Sequence, residues 1–250
     1  RRAGYESQPG LPRQDPGRAI PYFADAVFAD FDNDGWIDLV VVDRSESSRR
    51  QARAALLINR GDGSFEVQPT TSSGLDSPGI SGEAADLNND GLVDLVLCAD
   101  PDNSGVALTP DRYQDKVYWN TGAQGARENH WLRLRFGGVS DAALIGARVE
   151  VLECGDSSPL SDAARTPDKK QSGDESPHSK RRLGTCWIHS NHSYKSGGAL
   201  ETHFGLGSVI SVDLKVTLLD GRELKFTGVK ADQFTELNLA KGTLAEVPAP

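Results

Sequence analysis

Apolar and polar positions follow two different rhythms along the chain. In the first half, short apolar runs come in matched pairs: Val27 to Asp30 is followed, after a polar loop, by Leu39 to Val42, and Gly82 to Asp86 by Leu95 to Ala99. Runs of that length, rich in aliphatic and β-branched residues and bounded by Asp, Asn and Gly, predict strands. Beyond the first pair lie Ala54-Ala-Leu-Leu-Ile-Asn59, a turn at Arg60-Gly-Asp-Gly63, and Ser64-Phe-Glu-Val67. The predicted order is strand, loop, strand, strand, turn, strand. In the second half, His130 to Phe136, Ala147 to Leu152, Val212 to Leu218, Glu223 to Phe226 and Phe234 to Leu239 alternate, with turns such as Asp220-Gly221 between them. Period-two alternation predicts a β-sandwich-like unit in which each strand keeps one face in a core and one in water. The fold class read from the pattern is all-β.

The loops inside the two early pairs are near copies: Asp30-Phe-Asp32-Asn-Asp34-Gly35-Trp36-Ile-Asp38 and Asp86-Leu-Asn88-Asn-Asp90-Gly91-Leu92-Val-Asp94. Oxygen-bearing side chains fall at positions one, three, five and nine, with a glycine at six. Position seven, Trp36 or Leu92, can offer its backbone carbonyl. That pattern points to Ca2+, a hard cation that takes about six to eight oxygen ligands at roughly 2.3 to 2.6 Å. An EF-hand would need a bidentate Glu at position twelve and a helix after it. Position twelve is Val41 in one copy and Leu97 in the other, both inside strand-like runs, so the EF-hand and dockerin readings fall. A solvated Asp-Gly hairpin is the bland alternative for one loop, and repetition of the complete spacing favours the metal. Asn88 replaces the carboxylate of Asp32, which predicts tighter calcium at the first loop.

This strand and loop pattern resembles the FG-GAP or VCBS repeats of integrin-α-type β-propellers, whose blades can each hold one calcium between strands. From Asp30 to Asp86 is 56 residues, longer than common blades of about 40 to 50. Polar insertions at Arg44 to Arg53 and Asp100 to Asp115 account for the excess. The resemblance implies blades over 21–125. A propeller needs typically four to eight blades, so the expectation is a partial propeller, its last blades, with further N-terminal blades in a longer chain or a partner covering the open edges. Residues 1–20, with Pro9, Pro12 and Pro16, read as a linker or lead-in. The chain lacks Met, which suggests a processed or excised piece of a precursor with a signal peptide.

In the second half, Asn129-His130-Trp131-Leu132, Ile145-Gly-Ala-Arg-Val149, Ser193-Tyr-Lys-Ser196, His203-Phe-Gly-Leu-Gly207 and Leu219-Asp-Gly-Arg222 occur in the order of the landmarks of the ASPIC/UnbV domain. The resemblance covers 126–245. In that family the domain follows FG-GAP or VCBS repeats, in bacterial exported proteins and in cartilage acidic protein. It implies a secreted, periplasmic or cell-surface interaction protein rather than a defined reaction. A departure from the pattern is the Ser-, Pro-, Asp- and Lys-rich insert at 155–184, whose composition predicts disorder.

Composition narrows the partners. A net charge of −9 and a pI near 5.1 disfavour nucleic acid, and no apolar stretch approaches a membrane span. The ligand, a protein or a glycan, is left unknown. Cys154 and Cys186 bracket the insert, and both a disulfide at its base and two free thiols stand open; Cys98 reads as a small buried residue. Arg60-Gly61-Asp62 spells an adhesion tripeptide but sits where the repeat needs a hairpin turn. His189, His192 and His203 read as scattered histidines more readily than as a metal site, and Asn191-His192-Ser193 is a glycosylation sequon. His130 and Trp131 read as packing at the junction of the two halves. No catalytic constellation is present: the chain has no Gly-x-Ser-x-Gly elbow, phosphate loop or His-Glu-x-x-His. The function expected is therefore a non-enzymatic, calcium-stabilised interaction or adhesion module. The alternative is an accessory or C-terminal part of a larger exported enzyme, one acting on polysaccharide, with its catalytic residues upstream.

Overall fold

Each early apolar run becomes a strand, and each aspartate loop becomes the connection of a hairpin. The computed structural model describes residues 23–43, 54–77, 79–98, 115–154, 181–189 and 200–248. Strands β1 (Phe23–Ala29), β2 (Asp38–Asp43), β3 (Ala55–Asn59) and β4 (Phe65–Val67) form an antiparallel meander in chain order. A second meander, β5 (Ser81–Ala85), β6 (Asp94–Cys98) and β7 (Lys116–Tyr118), repeats the first three steps. Register closes both loops alike, Ala29 opposite Asp38 and Ala85 opposite Asp94. Up-and-down order of this kind is that of propeller blades.

The two meanders share one core. β1 lies against β5, and Val27, Val40, Val42, Val93, Leu95 and Leu97 cluster between the sheets with Leu75. Asp25 adds a polar tie, accepting the Gly82 N–H at 3.0 Å. A short helix, α1 (Thr70–Ser73), which the alternation does not predict, starts after Pro69 and stops at Gly74 in the left-handed region.

The second half forms a sandwich. It comprises β8 (His130–Gly137), α2 (Asp141–Leu144), β9 (Arg148–Glu153), β10 (Arg182–Trp187), β11 (Glu201–Gly207), β12 (Ser211–Thr217), β13 (Glu223–Lys230), β14 (Gln233–Asn238) and β15 (Thr243–Glu246). One sheet has the order β10-β9-β12-β13 and the other β11-β8-β14-β15. All described pairings are antiparallel except β8 with β14. The core follows the alternation, with Leu132 and Leu134 of β8, Val149 and Val151 of β9, Val212, Leu214 and Val216 of β12, and Leu237 of β14 all fully buried. Burial of each such side chain stabilises the unit by about 1.5 to 3 kcal/mol. Among the described residues no helix is long and apolar enough to cross a membrane.

Of the two states left open for the cysteines the free thiols hold, and one boundary is corrected. Both Cys154 and Cys186 are free thiols. Cys186 stands opposite Val149, and five residues of strand at about 3.3 Å each make an offset of roughly 16 Å, far beyond a disulfide's reach. Cys154 instead donates to Asp213 at 3.2 Å, and burial pushes the Cys186 thiol up to about 11. The disorder expected over 155–184 overruns a strand: β10 begins at Arg182, and Gly184 pairs with Val151. The rest of that insert (155–180), the lead-in 1–20, the insertions 44–53 and 100–114, and Ser193 to Ser196 lie outside the described residues.

Candidate metal centre

Loop one is folded by its own carboxylates. Asp30 accepts the N–H groups of Asp34 (3.1 Å) and Gly35 (2.9 Å), Asp32 that of Asp34 (3.2 Å), and Asp34 that of Trp36 (2.8 Å). Asn33 at position four and Gly35 at position six are left-handed, with φ of 57° and 92°, conformations suited to Asn and Gly. Asp38 closes the loop by accepting from Phe31 N–H at 2.9 Å and Asn59 N–H at 2.8 Å. Asp30, Asp32 and Asp38 are buried, and one oxygen from each lies within 4.8 Å of the others. Asp34 is half-buried at the rim, and Trp36 is exposed with its ring against Gly61.

Loop two repeats this bond for bond. Asp86 accepts from Asp90 (3.2 Å) and Gly91 (3.1 Å), Asn88 from Asp90 (3.0 Å), and Asp90 from Leu92 (3.0 Å). Asp94 accepts from Leu87 N–H (3.0 Å) and Asn120 N–H (2.8 Å). The loops differ in tightness: Asp86 and Asp94 are buried, Asn88 and Asp90 exposed, and its three carboxylates do not converge as those of loop one do. Two residues missed by the sequence reading complete the repeat. Asn59 and Asn120 each present a backbone N–H to the position-nine Asp and a side-chain oxygen to the N–H of a glycine two residues on, Gly61 or Gly122. The Asn-x-Gly triplet after each second apolar run was the signal available.

The donor set fits a hard cation. Burial, with repulsion from Asp34, Asp32 and Asp38, holds Asp30 well above the usual carboxylate range. Burial and Asp34 raise Asp32 to about 6, and burial raises Asp38 to about 7 with help from Asp32 and Asp34. Loading buried, mutually repelling carboxylates with a divalent ion removes both penalties. An all-oxygen set with no nitrogen or sulfur suits calcium over zinc. Asp30, Asp32, Asp34, Asp38 and the Trp36 carbonyl would hold the ion in loop one, and Asp86, Asn88, Asp90, Asp94 and the Leu92 carbonyl in loop two. Burial also raises Asp86, against the lowering pull of the Gly91 N–H bond and then of Arg133, whose Nη1 lies 3.9 Å from the Asp86 carboxylate.

Alternation on β8 predicts a solvent face, and here the loops cover it together with the neighbouring β11. The register sets Trp131 opposite Gly205, Arg133 opposite His203 and Arg135 opposite Glu201. Arg133 donates to the Asp86 carbonyl (2.9 Å), to Asn89 Oδ1 (2.7 Å) and twice to Glu201 Oε2 (2.9 and 2.7 Å). The Gly207 N–H donates to the Asn33 carbonyl at 2.9 Å, and Asn129 Nδ2 to the Asp32 carbonyl at 2.8 Å. A Cβ on Gly205 would meet Asp30 Oδ2 at 2.1 Å and the Asn33 backbone at 2.5 Å. Trp131 stacks on His203 with centroids 5.8 Å apart and packs on Gly91, while His130 Nδ1 meets Asp232 Oδ2 at 2.6 Å. Arg133, His203 and Gly205 were not assigned to the loops from sequence, because alternation tells inside from outside but not what covers the outside.

Other candidates are absorbed by local structure. In Arg60-Gly61-Asp62, the arginine ion-pairs with Glu66 and Asp62 accepts from Ser64 N–H and Oγ. His203 is half-buried and His189 exposed; His192 and the sequon lie outside the described residues. Among those residues no histidine joins a metal-competent cluster.

No curated protein matches the chain at a significant level. Residues 21–97, the stretch that runs through β1 to β6 and carries both loops, match the family model of the FG-GAP-like repeat.

Proposed function

We propose that this chain is a non-enzymatic calcium-binding interaction module that works outside the cytoplasm, with structural calcium in both loops. The observation that carries the reading is the convergence of Asp30, Asp32 and Asp38 in a buried cage within the FG-GAP-like stretch. The second unit is read as an ASPIC/UnbV domain on the strength of Asn129 to Leu132, Ile145 to Val149, His203 to Gly207 and Leu219 to Arg222. Against an enzymatic role stands the local employment of the clustered carboxylates, each of which folds a loop. Partners would be proteins or glycans met on the blade and sandwich surfaces.

Titration calorimetry of the metal-free chain tests the metal reading. Two calcium ions should bind per chain and persist in excess magnesium, which prefers rigid octahedral sites with retained waters. Absence of binding heat together with an unchanged near-ultraviolet spectrum would overturn it.

A further inference from the structure

The asparagine at position four of each loop is not a ligand in the spacing above, yet both are held left-handed with φ near 60° and turned towards the sandwich. Asn33 has φ 57° and Asn89 φ 59°. Asn89 Oδ1 accepts from Arg133 on β8 (2.7 Å), and Asn33 Oδ1 lies 2.9 Å from His203 Nε2 on β11. Arg133 and His203 are cross-strand neighbours. The Asn33 amide also spans the loops, its Nδ2 donating to the Gly91 carbonyl of loop two at 2.9 Å.

Proton positions along this path are determined. A backbone carbonyl only accepts, so Asn33 must direct its NH2 to Gly91 and its oxygen to His203. The oxygen then requires a proton on His203 Nε2. Burial, and then Arg133, hold the histidine pKa down to about 3, so the ring is neutral and Nδ1 carries no proton. One continuous chain of hydrogen bonds thus runs from β11 through loop one to the turn glycine of loop two. Asn120 Nδ2 adds a parallel strut, reaching the Phe31 carbonyl at 2.8 Å and the Val93 carbonyl at 3.2 Å.

We infer that Asn33 is a positioning residue for both cation loops, coupling occupancy of one to affinity of the other through Gly91 and anchoring the pair on His203 of the sandwich. This rests on the calcium reading above. Ordering loop one around an ion fixes the Asn33 backbone and hence the Gly91 carbonyl, next to the Asp90 and Leu92 groups of loop two. Two sites that share a bridging residue bind with a coupling factor, and linkage makes that factor the same in both directions.

The test uses the full chain and calcium alone, read by titration calorimetry in wild type, Asp32→Ala (loop one disabled), Asp90→Ala (loop two disabled), and the same three in an Asn33→Gly background. Glycine keeps the left-handed backbone and removes the bridge. In wild type, the product of the two association constants should exceed the product of the constants from the single-loop variants by about five- to tenfold, within the usual range of coupled sites. With Asn33→Gly the ratio should fall towards one. A purely structural asparagine would lower affinities and leave the ratio unchanged. A ratio of one in wild type, or one that survives Asn33→Gly, overturns the coupling while leaving calcium binding intact; no binding in wild type overturns both. If one single-loop variant fails to fold, comparing the remaining variant's constant with the wild-type stepwise constants gives the factor through the other loop.

Discussion

Asp38 and Asp94 each accept two backbone N–H groups from segments far apart in sequence: Phe31 and Asn59 for the first, Leu87 and Asn120 for the second. Replacing either by Ala leaves two donors without their partner, each costing about 1 to 3 kcal/mol. We expect Asp38→Ala and Asp94→Ala to lose roughly 2 to 6 kcal/mol in urea unfolding with calcium chelated, and Asp62→Ala, on an exposed turn, to leave the unfolding midpoint nearly unchanged. The same carboxylates set a pH dependence. Asp32 and Asp38 sit at about 6 and about 7 when folded, above the 3.8 of a free Asp. The folded chain therefore binds more protons, and this contribution is full below the unfolded value and lost as pH rises through the folded ones. With chelator, stability should fall from about pH 5 to about pH 8, more so than in Asp38→Asn, whereas saturating calcium should reverse the trend because protons compete for the same oxygens. Carboxylates held low by partners, such as Asp76 and Glu223, titrate beneath that window. A chelated protein with the same midpoint across this range would remove the burial argument.

At the scale of elements, most strands were legible because their apolar periodicity is local. Leu39 to Val42 reads as a strand, and β2 spans Asp38–Asp43; Val212 to Leu218 reads as one, and β12 spans Ser211–Thr217. The loops were legible for the same reason, their ligand spacing being a property of nine consecutive residues. Lost to the sequence reading were the parallel pairing of β8 with β14 and the offset that separates Cys154 from Cys186, since register between distant strands leaves no local trace. β11 went unassigned as a strand because Gly205 and Gly207 break its alternation, and those glycines are where loop one seats. Gly205→Ala should therefore be costly. Its Cβ would press both on the Asp30 carboxylate and on loop one's backbone at Asn33, and we expect a loss of about 1 to 3 kcal/mol with a smaller calcium-induced gain in stability, both measured by chemical unfolding with and without the ion.

At the scale of the whole molecule, the described residues form two β units joined through the aspartate loops. Loops that fold around carboxylates would repel one another, yet here they lie side by side on Arg133 and His203, under a net charge of −9. That placement would make a bound metal, blades and sandwich one cooperative structure, and the direct test is the melting temperature of the full chain in calcium and in chelator at neutral pH. Each site filled to about a hundred times its dissociation constant stabilises by about 2.7 kcal/mol, so calcium should shift a single transition upward by several degrees, with blades and sandwich melting together. Superimposable melting curves in the two conditions would contradict the account.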